Sequence, residues 1–346
     1  MMVMNVLYVG IDLHKEKVYG VVIDEKGNII KEGKFSNTKE EFQKFLKGIK
    51  NAIMAIESTG FTLPAYDFLE EKGYKVRIAH PLKTRAIAEA KIKTDKIDAR
   101  ILAHLLRGDL LPTSYIPKKD MRAIKEMVRH RAYMMKFRTS LKNKIYAELA
   151  KRWIKSERNI FTKKGIDWLR SLGIESINRY LDVMEILNEK IMEISLKIKE
   201  IAKENEDAKL LMSIPGINYY SAMLILAEIG DVKRFSDSHK LCAYAGLVPS
   251  THQSGNERYH GHIIKQGSKW LRWILIQCVH VHIKYDTHLT RFYKRVAARR
   301  GKKIAIVATA SKMLRVIYQI LINKEEFKPF QSNLEKVLWD KPRRKD

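Results

Sequence analysis

Cysteine is nearly absent: Cys242 and Cys278 are the two in 346 residues. They are isolated and lack metal-type spacing, which excludes a disulfide framework and a zinc ribbon. No uninterrupted apolar stretch reaches bilayer-spanning length, and no basic segment precedes an apolar one at the N-terminus. A soluble intracellular protein is expected. Acidic residues are also scarce, 39 Asp and Glu against 66 Lys and Arg, so the formal net charge is +27. That imbalance concerns partners rather than fold, and a polyanion is the expected partner, nucleic acid before a membrane surface. What is present suffices for ordinary cores: 45% of residues are apolar, which excludes a disordered chain, and the length allows two or three domains.

Against that deficit of acids, four stand out. Asp12 ends the apolar run Val6-Leu7-Tyr8-Val9-Gly10-Ile11, and Glu57 ends a second, Ile53-Met54-Ala55-Ile56. Asp95 and Asp98 lie three apart in Lys93-Thr94-Asp95-Lys96-Ile97-Asp98. An acid at the end of a buried strand is costly unless its charge is compensated. Residues three apart on a helix share a face, so both aspartates can point at one place. Carboxylates converging in this way hold hard divalent cations, and a pair of such cations is an apparatus for cutting phosphodiesters. Expected strands are Val6–Leu13, Lys17–Asp24, Ile29–Phe35, Ala52–Glu57 and Tyr74–Ala79, with helices after Thr38, over Gly60–Lys72 and over Pro81–Leu106. This α/β order, over roughly residues 1–110, resembles the ribonuclease-H-like, RuvC-like fold, in which acids occupy the first strand, the fourth strand and a packed helix. His14, two residues after Asp12, reads as incidental, with contact to a substrate as the alternative.

The segment 111–207 is expected to be helical. Between Lys118 and Lys164 sixteen Lys and Arg face four Asp and Glu, while Leu141, Ile145 and Leu149 recur at helical spacing. One helix face therefore packs, and Arg129, Arg131, Lys136, Arg138, Lys142 and Lys144 on the other are candidates to neutralise phosphates. From 177 to 201 the series Ile177, Tyr180, Met184, Leu187, Ile191, Ile194, Ile198, Ile201 keeps a strict heptad, the seam of a coiled coil. It fits self-association, with antiparallel pairing to the preceding basic helix as the alternative.

Residues 208–330 read as a mainly α domain, followed by a basic tail at 331–346. Ile214-Pro215-Gly216-Ile217 ahead of a helix over Tyr219–Ile229 is a helix-hairpin-helix-like signal. Backbone N–H groups at such a turn can hold a phosphate, which makes Gly216 a candidate contact. A Gly- and Ser-rich loop, Ser250-Thr251-His252-Gln253-Ser254-Gly255-Asn256, is flanked by Arg258, Lys265, Lys269 and Arg272, further candidates for a nucleic-acid backbone. Ser250 and Ser254 are both candidate nucleophiles.

Taken together, Tyr8-Val9-Gly10-Ile11-Asp12, Ala55-Ile56-Glu57-Ser58-Thr59-Gly60, Lys93-Thr94-Asp95-Lys96-Ile97-Asp98-Ala99, Ile214-Pro215-Gly216-Ile217, Ala245-Gly246-Leu247-Val248-Pro249, the Gln253-Ser254-Gly255 loop and Gly261–Arg272 resemble the DEDD transposases of the insertion-sequence one-ten group over nearly the whole chain. The resemblance implies a RuvC-like domain holding Mg²⁺ or Mn²⁺ on Asp12, Glu57, Asp95 and Asp98. It also implies a C-terminal domain with an essential serine, best carried by Ser254 with Ser250 in reserve. The implied activity is DNA transposition or site-specific recombination through a phosphoserine link, guided by a structured non-coding bridge RNA. Dimers assembling to tetramers, with active sites composed across subunits, are implied, as is a cytoplasmic, nucleoid-associated protein of a prokaryote. Three other readings fit the residues. One is a metal-dependent structure-specific nuclease of the junction-resolvase kind, another a non-catalytic nucleic-acid-binding protein, and a third a DNA invertase of the same family.

Overall fold

In a computed structural model, residues 6–88, 94–155, 159–254 and 257–329 are described, with 251–260 described by their backbone alone. The basic tail at 331–346 and Gly255 of the serine loop lie outside the described residues. The chain divides into two units, Met1–Ile116 and Pro117–Asp346.

The first unit is built on a five-stranded sheet in the order β3-β2-β1-β4-β5. Its strands are β1 (Leu7–Leu13), β2 (Lys17–Ile23), β3 (Ile29–Ser36), β4 (Ala52–Glu57) and β5 (Lys75–Ala79). The first three form an antiparallel meander, and β4 and β5 run parallel to β1. Helices α1 (Lys39–Phe45), α2 (Thr62–Glu71), α3 (Pro81–Ile87) and α4 (Asp95–Arg107) complete the unit. This is the expected mixed α/β arrangement. Side chains alternate between the two faces of a strand. Val9, Ile11 and Leu13 of β1, with Met54 and Ile56 of β4, join Phe42, Phe45, Phe68 and Leu69 of α1 and α2 in one core. Tyr8, Ile53 and Ala55, of opposite parity, pack with α4 residues Leu102, Leu105 and Leu106 on the other face.

One expected element differs. Pro81–Leu106 is not a continuous helix: α3 ends at Ala88, whose backbone leaves the helical region, and α4 begins afresh at a capping Thr94. The Thr94 hydroxyl accepts the Ile97 N–H, satisfying one of the unpaired donors of the first turn. The break puts Asp95 and Asp98 in the first turn of a helix rather than mid-helix.

The second unit is mainly helical. It comprises α5 (Lys119–Lys151), α6 (Lys163–Ser171), α7 (Glu175–Glu204), α8 (Glu206–Met212), α9 (Tyr219–Ile229), α10 (Ser238–Tyr244), a hairpin of β6 (Pro249–Ser254) and β7 (Glu257–Ile263), then α11 (Lys269–His282), α12 (His288–Arg300) and α13 (Lys302–Asn323). The helix α9 is buried from Tyr220 through Ile229 and lies at the centre of the main core. Val128 and Ala132 of α5 and Ile198 and Ala202 of α7 belong to that same core. The segments 111–207 and 208–330 are therefore joined by shared packing.

The heptad seam is used within the chain. Arg131 bonds to Ser195, Arg138 to Asn188, and Glu148 to Ser176, so α5 and α7 run antiparallel. Ile177, Met184, Ile191 and Ile198 are buried, whereas Tyr180, Leu187, Ile194 and Ile201 are half-buried. Among the described residues one helix, α13, is long and apolar enough to cross a membrane. Ala310, Met313, Leu314, Ile317 and Leu321 bury it in the main core, which accounts for its composition.

Candidate metal centre

Strand parity decides where the acids of β1 and β4 point. Asp12 has the parity of Tyr8 and Gly10, and Glu57 that of Ile53 and Ala55, so both lie on the face covered by α4. The strands are parallel neighbours in register, with Ile11 opposite Ile56, which sets Asp12 and Glu57 side by side at the carboxyl ends. That end of an open α/β sheet is where such folds place ligands.

The distance between sheet and helix is set by Gly10. A Cβ there would lie 2.0 Å from the Ala99 carbonyl oxygen and 2.6 Å from the Ala103 amide nitrogen. The backbone of α4 thus rests directly on β1, two residues before Asp12. Glu32 of β3 then holds the helix from the side. It accepts two hydrogen bonds from Arg100, at 2.9 and 3.0 Å, and pairs with Lys96 at 2.6 Å.

Within this frame Asp12 and Asp95 converge, and His14 stands between them. His14 Nε2 is 3.4 Å from Asp12 Oδ2 and 3.4 Å from Asp95 Oδ1. One ligand atom from each of the three residues lies within 4.8 Å of the others. Lys34 Nζ approaches the other Asp95 oxygen at 3.6 Å. Asp12 is only 2% exposed, and burial pushes its carboxyl up from 3.8 to about 6. His14 opposes that rise, while Glu57, Asp95 and Asp98 add to it by like charge. Asp12 therefore feels the charge of all three other acids. Carboxylates gathered around a buried Asp12 fit a divalent cation, which would relieve the mutual repulsion.

The serine loop belongs to the second unit, and it is a hairpin rather than an irregular loop. Ser254 is the last residue of β6, paired with Glu257 at the hairpin's end. Gly255 and Asn256, between the two strands in sequence, lie outside the described residues. Ser250 sits near the base, where its hydroxyl would be 2.5 Å from a Cβ at Gly261. The base itself is tied to the core. Ile264 N–H donates to Val248, Arg272 to the Ala245 carbonyl, and the Ser268 hydroxyl to Glu228. Glu228 is buried in α9 and also receives Arg129 at 2.7 Å and Lys125 at 3.5 Å.

The candidate nucleic-acid residues divide accordingly. Arg129 bonds Glu228 and lies over the Trp270 ring, and Arg131 stacks on Tyr220 at 4.1 Å. Arg138 donates to Asn188, Lys142 lies over Phe161, and Arg272 holds Ala245. Lys136, Lys144, Lys265 and Lys269 are exposed, and the Arg258 side chain lies outside the description. Gly216, at φ +93°, is explained by packing: a Cβ would meet the Cys278 carbonyl at 2.7 Å and the His282 nitrogen at 2.9 Å. His282 also bonds the Pro215 carbonyl, so the turn is held against α11.

Sequence reasoning missed two residues of the centre. His14 had a usable signal, since residues two apart at a strand end share a face. Gly10 had none in the sequence alone, because its partners are nearly ninety positions away.

Two family models match separate stretches of the chain. A family model for DEDD transposases of the IS110 type, described as "Transposase", matches residues 9–153. Another, described as "Transposase IS116/IS110/IS902 family", matches residues 208–294. The chain is similar to the transposase for insertion sequence element IS1111A of Coxiella burnetii, with 26% identity covering 94% of this chain and 92% of that protein. It is similar to the transposase for IS1328 of Yersinia enterocolitica, at 25% identity over 91% of this chain and 97% of the relative. A probable family 20 transposase of Pseudomonas aeruginosa is 23% identical, covering 94% of this chain and all of that protein.

Proposed function

Because this chain belongs to the DEDD transposase family of insertion elements, we propose that it cuts and rejoins DNA using a metal-bound acid centre and a serine nucleophile. The observation that carries this reading is the convergence of Asp12 and Asp95 donors at the ends of β1 and α4, inside the stretch matched by the DEDD model. Asp12, Glu57, Asp95 and Asp98 would hold the cation, which when bound polarises a scissile phosphate and offsets developing charge.

Ser254 is the proposed nucleophile. Its oxygen attacks phosphorus, the bond from phosphorus to the leaving DNA hydroxyl breaks, the serine proton passes to a base or water, and the departing oxygen takes up a proton. A serine alcohol is weak unless activated, so this step requires the acid centre or a neighbouring base. The phosphoserine ester conserves the bond. A second DNA hydroxyl then attacks the same phosphorus, the serine oxygen leaves and regains its proton, and strands exchange without ATP. The placement of Ser254 at a hairpin end, away from the packed base, supports its access to DNA.

The partners follow from charge. Exposed Lys136, Lys144, Lys265 and Lys269, with a net charge of +27, suit a nucleic-acid backbone without sequence readout. A structured guide RNA supplies sequence choice by base pairing in this reading. Dimers assembling to tetramers would use apolar residues left exposed on α5 and α7, among them Tyr133, Phe137, Ile186 and Leu196. The protein then works in the cytoplasm on nucleoid DNA.

The test is one incubation with the element's flanking DNA, its flanking non-coding RNA and Mg²⁺, resolved on a denaturing gel. A protein–DNA adduct should form with the wild type and vanish in Ser254→Ala and in Asp12→Asn. Cutting that persists in Ser254→Ala but not in Asp12→Asn would instead identify a nuclease that never uses the serine. An adduct lost in Ser250→Ala and kept in Ser254→Ala would move the nucleophile.

A further inference from the structure

The β1–β2 connection carries a group that the four-acid reading leaves without a role. His14 is the first residue beyond β1, and its backbone is fixed on both sides. Its N–H donates to the Lys17 carbonyl at 2.9 Å, and its own carbonyl accepts from Asn37 Nδ2 at 3.0 Å. Asn37 also reaches the Lys15 carbonyl at 3.3 Å. The turn is therefore tied down by a side chain from the far end of the meander, and the imidazole leaves it toward the acids.

Both contacts of the ring nitrogen are long for a hydrogen bond and within the range of two ligands of one ion. His14 Nε2 stands 3.4 Å from one oxygen of Asp12 and 3.4 Å from one oxygen of Asp95. Good N–H···O bonds are ~2.7–3.2 Å long, and a ring nitrogen wanting one partner would close on one of the two. Ligands each ~2.1 Å from an ion and roughly 90–110° apart stand about 3.0–3.4 Å from each other.

We propose that His14 is a metal ligand of this centre, its Nε2 completing with Asp12 and Asp95 a mixed nitrogen–oxygen site that favours Mn²⁺ over Mg²⁺ more than carboxylates alone would. This rests on the reading that the acids hold a divalent cation. Magnesium prefers oxygen donors and keeps its waters, whereas an imidazole suits transition ions. The competing role for His14 is a plain counter-charge that shields Asp12 and Asp95 from each other. A counter-charge resists cation entry, so its removal would tighten both ions alike.

The experiment measures Mn²⁺ and Mg²⁺ binding to the full chain by titration calorimetry, with pulsed electron paramagnetic resonance of the Mn²⁺ form. The variants are His14→Ala, His14→Asn and Asp12→Asn, each checked for folding by circular dichroism. Wild type should give nitrogen modulation from a coordinated imidazole, absent in both His14 variants. The Mg²⁺-to-Mn²⁺ ratio of dissociation constants should fall about tenfold in them, in line with the loss of one ligand-shell contribution. An unchanged ratio, no nitrogen modulation in the wild type, or tighter binding of both ions by His14→Ala overturns the assignment. Asp12→Asn separates the two levels. If it binds Mn²⁺ as the wild type does, the acid centre itself is wrong. If it loses Mn²⁺ while the His14 variants keep the wild-type ratio, only His14 is wrong.

Discussion

Replacing Gly10 by alanine puts a single methyl group between β1 and α4. The new Cβ would start 2.0 Å from the Ala99 oxygen, 2.6 Å from the Ala103 nitrogen and 3.1 Å from the Ala103 Cβ, against 3.4 Å for ordinary contact. Two of these three neighbours are backbone, so no side-chain rotation relieves the overlap, and α4 must withdraw by about 1 Å or more. Overpacking of this kind costs about 1–3 kcal/mol. The functional loss should be larger, because Asp95 and Asp98 ride on the displaced helix while Asp12 stays on the strand. A misplacement of ~1 Å at a reacting centre costs about 100-fold in rate. The assay is the protein–DNA adduct yield over time, alongside thermal melting and Mn²⁺ titration. Gly33→Ala on β3 is the control, since nothing lies within 4 Å of its added Cβ. Gly10→Ala that melts, binds Mn²⁺ and forms adduct like the wild type would refute the idea that this glycine sets the spacing of the acids.

The metal-free protein should lose stability as pH rises from about 4 to about 6. The folded Asp12 carboxyl keeps its proton to about 6 while the unfolded one releases it near 3.8, so the stabilising effect is complete below the lower value and gone above the upper. Asp12→Asn should lack this dependence and be the more stable protein above pH 6 without metal, and a melting-temperature gap that is constant across pH would contradict it. Glu228→Ala should destabilise the second unit by about 3 kcal/mol in chemical denaturation, because Arg129, Lys125 and Ser268 lose their common buried partner. Denaturation midpoints equal to the wild type would show that this network contributes nothing net.

The succession of strands along the first unit and the positions of Asp12 and Glu57 at strand ends were legible because they depend on local signals, whereas the break that makes Thr94 a cap was not. Strand alternation assigns Asp12 to the side opposite Ile11 whatever the rest of the chain does, and the same holds for Glu57 after Ile56. The motif blocks around these acids also carried the family resemblance, and the family model over residues 9–153 spans all four acids. Other features followed from contacts between distant positions, which no spacing rule encodes. The basic stripe of α5 read as a uniform solvent face, yet Arg129 and Arg131 turn inward because Glu228 and Tyr220 of α9 pack beside them. The heptad of α7 determined a seam but not its occupant, and α5 supplies one because the chain folds back on itself. The identity of the four acids was thus a property of the sequence. Their spacing, through Gly10 beneath Ala99, and the presence of His14 between two of them were decided only when residues far apart in the chain came into van der Waals contact.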